Sequence, residues 1–243
     1  MRAPEPAERP HRGWALAGLA AIVVAGAAVA ATYTPLFAAR DIQVRGAGDI
    51  SRAGVLRLAG VEEGSNVFHL DARAVERRLE GDPRILGATV STQLPDRVEI
   101  ALVRRRPVAV VGSPGALVGA DGVLIGPTIE ATDLPSLVSG PGRPVGDDDL
   151  VTGARAADAL GPSLRGAVDA IVVMEDGELA LRLAAGFTAT FGPATELEAK
   201  AGSLGALLTW IQQEDVAVVS ADLTVPGSPT ATLDRDPHAV PVP

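Results

Sequence analysis

A proton-transfer site needs a base within reach of its substrate. Of the three histidines, His11 and His238 stand in the tails, which leaves His69. A hydrolase elbow sets its serine in a G-x-S-x-G frame, and Gly112-Ser113-Pro114-Gly115 does not keep that spacing. His69 therefore reads as a half-exposed loop residue. Asp147-Asp148-Asp149 gathers three carboxylates, but adjacent acids lack the alternation of a calcium loop, and acids at a helix start are favoured by its dipole. Gly46-x-Gly48 lies between a strand and a helix, where a dinucleotide fingerprint would stand, yet Ser51 takes the third glycine position. A turn followed by an N-cap is the expectation there. The chain has no cysteine, which removes disulfides, thiolate metal sites and a thiol nucleophile together. The residues thus predict neither enzyme nor cofactor nor metal centre. Arg104-Arg105-Arg106 could meet lipid headgroups, but at a strand end between domains it reads as a solvated or ion-paired junction.

At 243 residues the chain holds one or two small domains. Its net charge of −9 comes from 30 acids against 21 bases and repels phosphate backbones. With two Trp, one Tyr and four Phe there are also too few rings for a base-stacking platform. Nucleic acid is not an expected partner.

Between Arg12 and Arg40 no side chain is charged, and residues 14–33 are apolar enough to cross a bilayer as a helix. Arg2, Arg9 and Arg12 precede the run, which places the N-terminal tail, residues 1–13, in the cytoplasm and the rest outside. Trp14 and Tyr33 bracket the span as interfacial aromatics do. A second reading stays open: Ala28-Val29-Ala30 has the form of a signal-peptidase site, and cleavage there would release a secreted or envelope binding module.

Beyond the span, Ala38 to Arg45 alternates as a half-buried strand. Ser51 caps a short helix ending at Gly60, and Asp71 caps a second whose buried stripe is Val75 and Leu79. The even positions from Leu86 to Leu94 form one apolar face, and Val98, Ile100 and Leu102 form another. They coincide only if Val90 opposes Ile100, with Leu94-Pro95-Asp96 as the loop. Farther on, short apolar runs predict strands at residues 108–111, 116–118 and 123–125, and Asp147 to Leu160 predicts a helix. Ile171 to Leu183 reads as a hairpin with a type I′ turn at Asp176-Gly177, followed by a strand at residues 188–191. Thr195 and Glu198 form a capping box for a helix with the stripe Leu197, Ala201, Leu204, Leu208 and Ile211. Val216 to Val225 reads as a covered last strand.

In this order, ARDIQVRGAGDIS from Ala39, GVEEGSNVFHLD from Gly60, DPRILGATVSTQLPDRVEIAL from Asp82, RRPVAVV from Arg105, ADGVLIG from Ala120, LRLAAGFTATFG from Leu181 and VSADLT from Val219 resemble the FtsQ/DivIB family of bacterial cell-division proteins. The resemblance implies an α+β chain. A single N-terminal transmembrane helix leads to a β-α-α-β-β POTRA domain at residues 38–106, then a mixed C-terminal β domain with covering helices at residues 107–233 and a disordered tail at residues 234–243. It implies a non-enzymatic scaffold at the septum, in the inner membrane, that holds FtsB-like and FtsL-like coiled-coil proteins and helps regulate septal peptidoglycan synthesis. Where well-known relatives carry an Arg and an aromatic after the terminal D-L, this chain has Thr224 and Val225. Many relatives also carry Glu where this chain has Arg104.

Pro226 and Pro229 belong at a sheet edge, because proline cannot donate to a ladder. Thr230 to Leu233 then resumes strand-compatible residues and leaves an edge open to strand addition. The resemblance implies that an FtsB-like partner docks at this same end, so the partner surface is expected at Asp222, Leu223, Thr224, Val225, Thr230, Ala231, Thr232 and Leu233. Backbone pairing and small apolar contacts at Val225, Ala231 and Leu233 would dominate it, and Thr232 would supply a free edge donor.

Overall fold

The computed structural model describes residues 11–127 and 133–234. Most of the expected cytoplasmic tail and the expected terminal tail lie outside those residues. The chain divides into two compact units, Met1–Arg104 and Arg105–Pro243.

The first unit opens with α1 (His11–Thr32), 22 residues long and so about 33 Å at 1.5 Å per residue. Side chains are described continuously only from Ala17 onward, and Ala17 to Ala31 are exposed despite being apolar or glycine. Among the described residues no helix is long and apolar enough to cross a membrane. A 3₁₀ turn, Pro35–Phe37, leads into β1 (Asp41–Arg45), α2 (Arg52–Ala59), α3 (Ala72–Glu80), β2 (Ile85–Gln93) and β3 (Arg97–Arg104). The sheet order is β1-β3-β2, with β1 parallel and β2 antiparallel to β3.

Local chemistry sets these boundaries. Ser51 Oγ accepts from Gly54 N–H and Asp71 Oδ1 from Ala74 N–H, each satisfying a donor that the helix start leaves open. Gly60 ends α2 in the left-handed region at φ 65°, where any Cβ is penalised. Val55 and Ala59 of α2, with Val75 and Leu79 of α3, pack over Ile42, Val90, Val98, Ile100 and Leu102 of the sheet. Each large aliphatic buried there contributes about 1.5–3 kcal/mol. Val90 stands opposite Ile100, Ala88 opposite Leu102 and Thr92 opposite Val98. The predicted face does not hold at its ends: Thr92 and Leu94 are exposed near the loop, and Leu86 is exposed while Ile85 is fully buried. A bulge between Ile85 and Gly87 adds a residue to one strand and reverses the alternation beyond it.

The second unit runs β4 (Pro107–Val111), β5 (Ala116–Gly119), β6 (Leu124–Pro127), β7 (Ser136–Ser139), α4 (Asp147–Ala159), α5 (Gly161–Arg165), β8 (Val168–Val173), β9 (Leu179–Leu183), β10 (Thr188–Gly192), α6 (Leu197–Glu214), β11 (Val218–Asp222) and β12 (Thr230–Leu233). The described strands form one mixed sheet in the order β12-β11-β10-β9-β8-β7-β4-β5-β6. Ala154 and Ala157 of α4 and Leu204 and Leu207 of α6 share a core with Leu137, Ile171, Leu181, Phe191 and Leu223 of the sheet side. Gly153 lets α4 approach closely, since a Cβ there would collide with the Leu137 side chain.

Three sequence expectations change here. The β8–β9 turn is not type I′, which needs positive φ at both central residues. Gly177 alone is left-handed, at φ 80°, and its N–H reaches the Met174 carbonyl, so a type I turn with glycine at the following position closes the hairpin. No Thr195–Glu198 capping box forms: α6 starts later, after Glu196 at φ 53° with no side-chain cap. The buried Lys200 Nζ instead ties the helix start to the Pro193 carbonyl at 2.7 Å. The deepest side of α6 is accordingly Leu197, Lys200, Ala201, Leu204 and Leu207, while Leu208 and Ile211 are only partly buried. Finally, the last apolar run is not one covered strand. β11 ends at Asp222, and Val219 and Val225 are exposed.

Candidate functional site

Among the described residues β12 is the terminal strand of the large sheet and pairs on one side only, antiparallel to β11. Which of its backbone groups are free follows from β11. Leu223 N–H donates to the Thr190 carbonyl of β10 at 2.8 Å, and Thr190 is the parallel partner of Asp222. In a parallel ladder this makes Ala221 and Leu223 the residues whose backbone faces β10. Ser220 and Asp222 then face β12, where their partners are Thr232 and Thr230. Thr230 and Thr232 therefore spend their N–H groups inside the sheet, and the outward N–H and C=O belong to Ala231 and Leu233. Asp234 N–H, bonded to the Ala217 carbonyl at 2.9 Å, keeps the same phase. The expected free donor at Thr232 is corrected by this register.

The same alternation points the Ala231 and Leu233 side chains into a groove of about 400 Å³, lined also by Ala206, Leu207 and Trp210 of α6 and by Pro229. A free ladder thus borders an apolar trough. Trp210, Leu207 and Ala206 were not singled out from the sequence. The available signal was that Trp210, one of two tryptophans, falls off the Leu204–Leu208–Ile211 stripe and so cannot point straight into the core.

The other expected residues divide by role. Leu223 is fully buried and belongs to the core. Asp222 Oδ1 accepts from Thr224 N–H at 2.8 Å. That backbone bond, with the Thr224 side chain, holds the Asp222 carboxyl below its ordinary range. Asp222 therefore shapes its own turn, and Thr224 closes over Gly192, where a Cβ would meet it. Val225, Thr230 and Thr232 are exposed. At the other end of the chain, Trp14 and Tyr33 are both exposed.

Of the acidic triplet, Asp149 is architectural, while Asp147 and Asp148 are exposed in the first turn of α4. Asp149, 5% exposed, takes two hydrogen bonds from Arg143 at 2.9 Å, one from the Ser139 hydroxyl and one from Gly146 N–H. Burial pushes its carboxyl up, but the Arg143, Gly146 and Ser139 bonds outweigh it and leave the group below its ordinary range. Gly46-x-Gly48 is a turn ahead of the Ser51 cap. Arg104 pairs with Asp49 and Arg105 with Asp121 at 2.9 Å. His69 lies 3.0 Å from the Thr32 hydroxyl and stacks on Tyr33.

The described residues thus form a βααββ unit and a separate mixed sheet that ends in an edge strand, the kind of edge to which a strand can be added. A model of the FtsQ-type POTRA domain matches residues 37–105. The cell division protein FtsQ of Mycobacterium tuberculosis (strain ATCC 25618 / H37Rv) is 32% identical over 200 residues, covering 78% of this chain and 60% of that protein. FtsQ of Mycolicibacterium smegmatis is 30% identical over 205 residues, 79% of this chain and 58% of that protein. FtsQ of Corynebacterium glutamicum is 30% identical over 94 residues, 39% of this chain and 42% of that protein. The chain spans about three fifths of the length of the mycobacterial relatives it matches. It belongs to the FtsQ/DivIB family.

Proposed function

We propose that this protein is a membrane-anchored, non-enzymatic scaffold of the division septum. α1 crosses the cytoplasmic membrane with its N-terminus inside, and both compact units lie outside. The scaffold binds FtsB-like and FtsL-like coiled-coil proteins and so helps regulate septal peptidoglycan synthesis. The observation that carries the reading is the open β12 edge, with Ala231 and Leu233 turned outward beside the Leu207–Trp210 groove. A partner segment entering as an added strand gains main-chain bonds from the edge and apolar burial from the groove. For α1, the support is its 22-residue length and uncharged face from Ala17 to Thr32, together with the arginines that precede it.

The test is recovery of partners with tagged full-length protein from its own host, beside an export-dependent reporter fused at Phe37. FtsB- and FtsL-like proteins should co-purify, and the reporter should be active. Failure to recover either partner refutes the scaffold reading. A mature N-terminus near Ala31 refutes the anchor.

A further inference from the structure

The end of α1 is tied to the loop that precedes α3. Asn66 Nδ2 donates to the Thr32 carbonyl at 2.7 Å, and the His69 ring stacks on Tyr33 with centroids 4.4 Å apart. Asn66 Oδ1 also accepts from Phe68 N–H and His69 N–H at 3.0 and 3.3 Å, so the loop is held by its own turn. Phe37 packs against Phe68 at 5.6 Å. Phe37 is half-buried, but Tyr33 and Phe68 stay at the surface, 68% and 50% exposed, beside Leu36 at 59%. The β2–β3 turn reaches the same end through Arg40 N–H, bonded to the Asp96 carbonyl at 3.0 Å, and brings exposed Leu94 with it.

For a chain with two Trp, one Tyr and four Phe, this is an unusual use of rings. Phe187 and Phe191 fill the second unit's core, whereas Tyr33, Phe37 and Phe68 cluster where α1 ends. An exposed apolar patch of this kind marks a surface that meets another apolar phase. We propose that Tyr33, Leu36, Phe37 and Phe68 sit in the outer headgroup layer of the membrane and seat the first unit on the bilayer.

The inference rests on the reading that α1 spans the membrane. Given that, the Asn66 and His69 contacts with Thr32 hold Phe68 at the depth where the apolar helix ends. Aromatic rings partition to that depth. Arg40, whose guanidinium lies 3.5 Å from the Pro35 carbonyl, stands beside Leu36 as a cation for lipid phosphate.

The absence of cysteine makes the test direct. Nitroxide labels are placed singly through Phe68→Cys, Leu36→Cys, Ala27→Cys and Leu86→Cys in the full-length protein, held in nanodiscs of mixed zwitterionic and anionic phospholipid. Leu86 is exposed at the opposite end of the small sheet. Collision with oxygen relative to an aqueous nickel chelate should be several-fold higher at 68 and 36 than at 86, and highest at 27. If 68 and 36 match 86 while 27 is lipid-buried, the seat is refuted and the anchor stands. That result would assign the patch to a protein partner. If 27 is also aqueous, the anchor reading fails and the seat falls with it. Labels at 36 and 68 lie in different segments, so a local distortion at one does not decide the outcome.

Discussion

Adjacent residues of β12 face opposite ways, so two single proline substitutions should have opposite effects. Ala231→Pro removes an N–H that points out of the sheet and leaves the β11 ladder intact. Proline is tolerated at that kind of edge position, and stability should change by less than about 1 kcal/mol. An incoming strand would lose that donor and leave its own carbonyl unpaired, a cost of about 1–3 kcal/mol. Partner affinity should therefore fall roughly 5- to 150-fold. Thr232→Pro removes an N–H bonded within the sheet to Ser220, its register partner. It should destabilise the second unit by about 1–3 kcal/mol and lower Tm by roughly 3–10 °C. The assay is calorimetric titration of each full-length variant with the extracytoplasmic part of the FtsB-like protein, beside a melting curve. Unchanged affinity in Ala231→Pro would sink strand addition. An unperturbed Tm in Thr232→Pro would show that the assigned backbone phase is inverted.

Trp210→Ala strips the largest wall of the groove while touching little of the core, since Trp210 is 39% exposed. It should weaken the same titration by about tenfold or more, as loss of an aromatic anchor does, and leave Tm nearly unmoved; equal affinity would exclude the groove from the contact. Asp149→Asn breaks the Arg143 pair and should cost the second unit about 1–3 kcal/mol at neutral pH. Because the native Asp149 carboxyl titrates below its unfolded value of roughly 3.9, its contribution is full above that pH and is lost as pH falls through the lower native value. Denaturant melts between neutral and acid pH should show a smaller acid loss in Asp149→Asn than in the native protein, and parallel losses would count against the linkage. Ser51→Ala, which leaves Gly54 N–H without its cap, should cost the first unit about 1 kcal/mol, readable as a lower denaturant midpoint.

Local rules reach as far as local causes do. Ser51, Asp71 and Gly60 cap or stop their helices with their own atoms, so type and position sufficed. The β2–β3 register was readable because a one-residue slip would turn Val90 and Ile100 to water. The proline-marked edge was readable because a missing N–H is a property of the residue itself. Leu86 was misplaced because a bulge follows from fitting two strands, and the Thr195–Glu198 cap failed because a buried Lys200 ties α6 to Pro193 from outside the motif. Sequence alone therefore determined the β-α-α-β-β order, the segment that ends as a free edge, and the family. Only the tertiary structure decided which face of that edge is free. Whether Thr232 or Ala231 offers its N–H depends on how β11 is already spent on β10, and the groove beside them exists only once Trp210 of α6 and Leu233 of β12 are brought together across the fold.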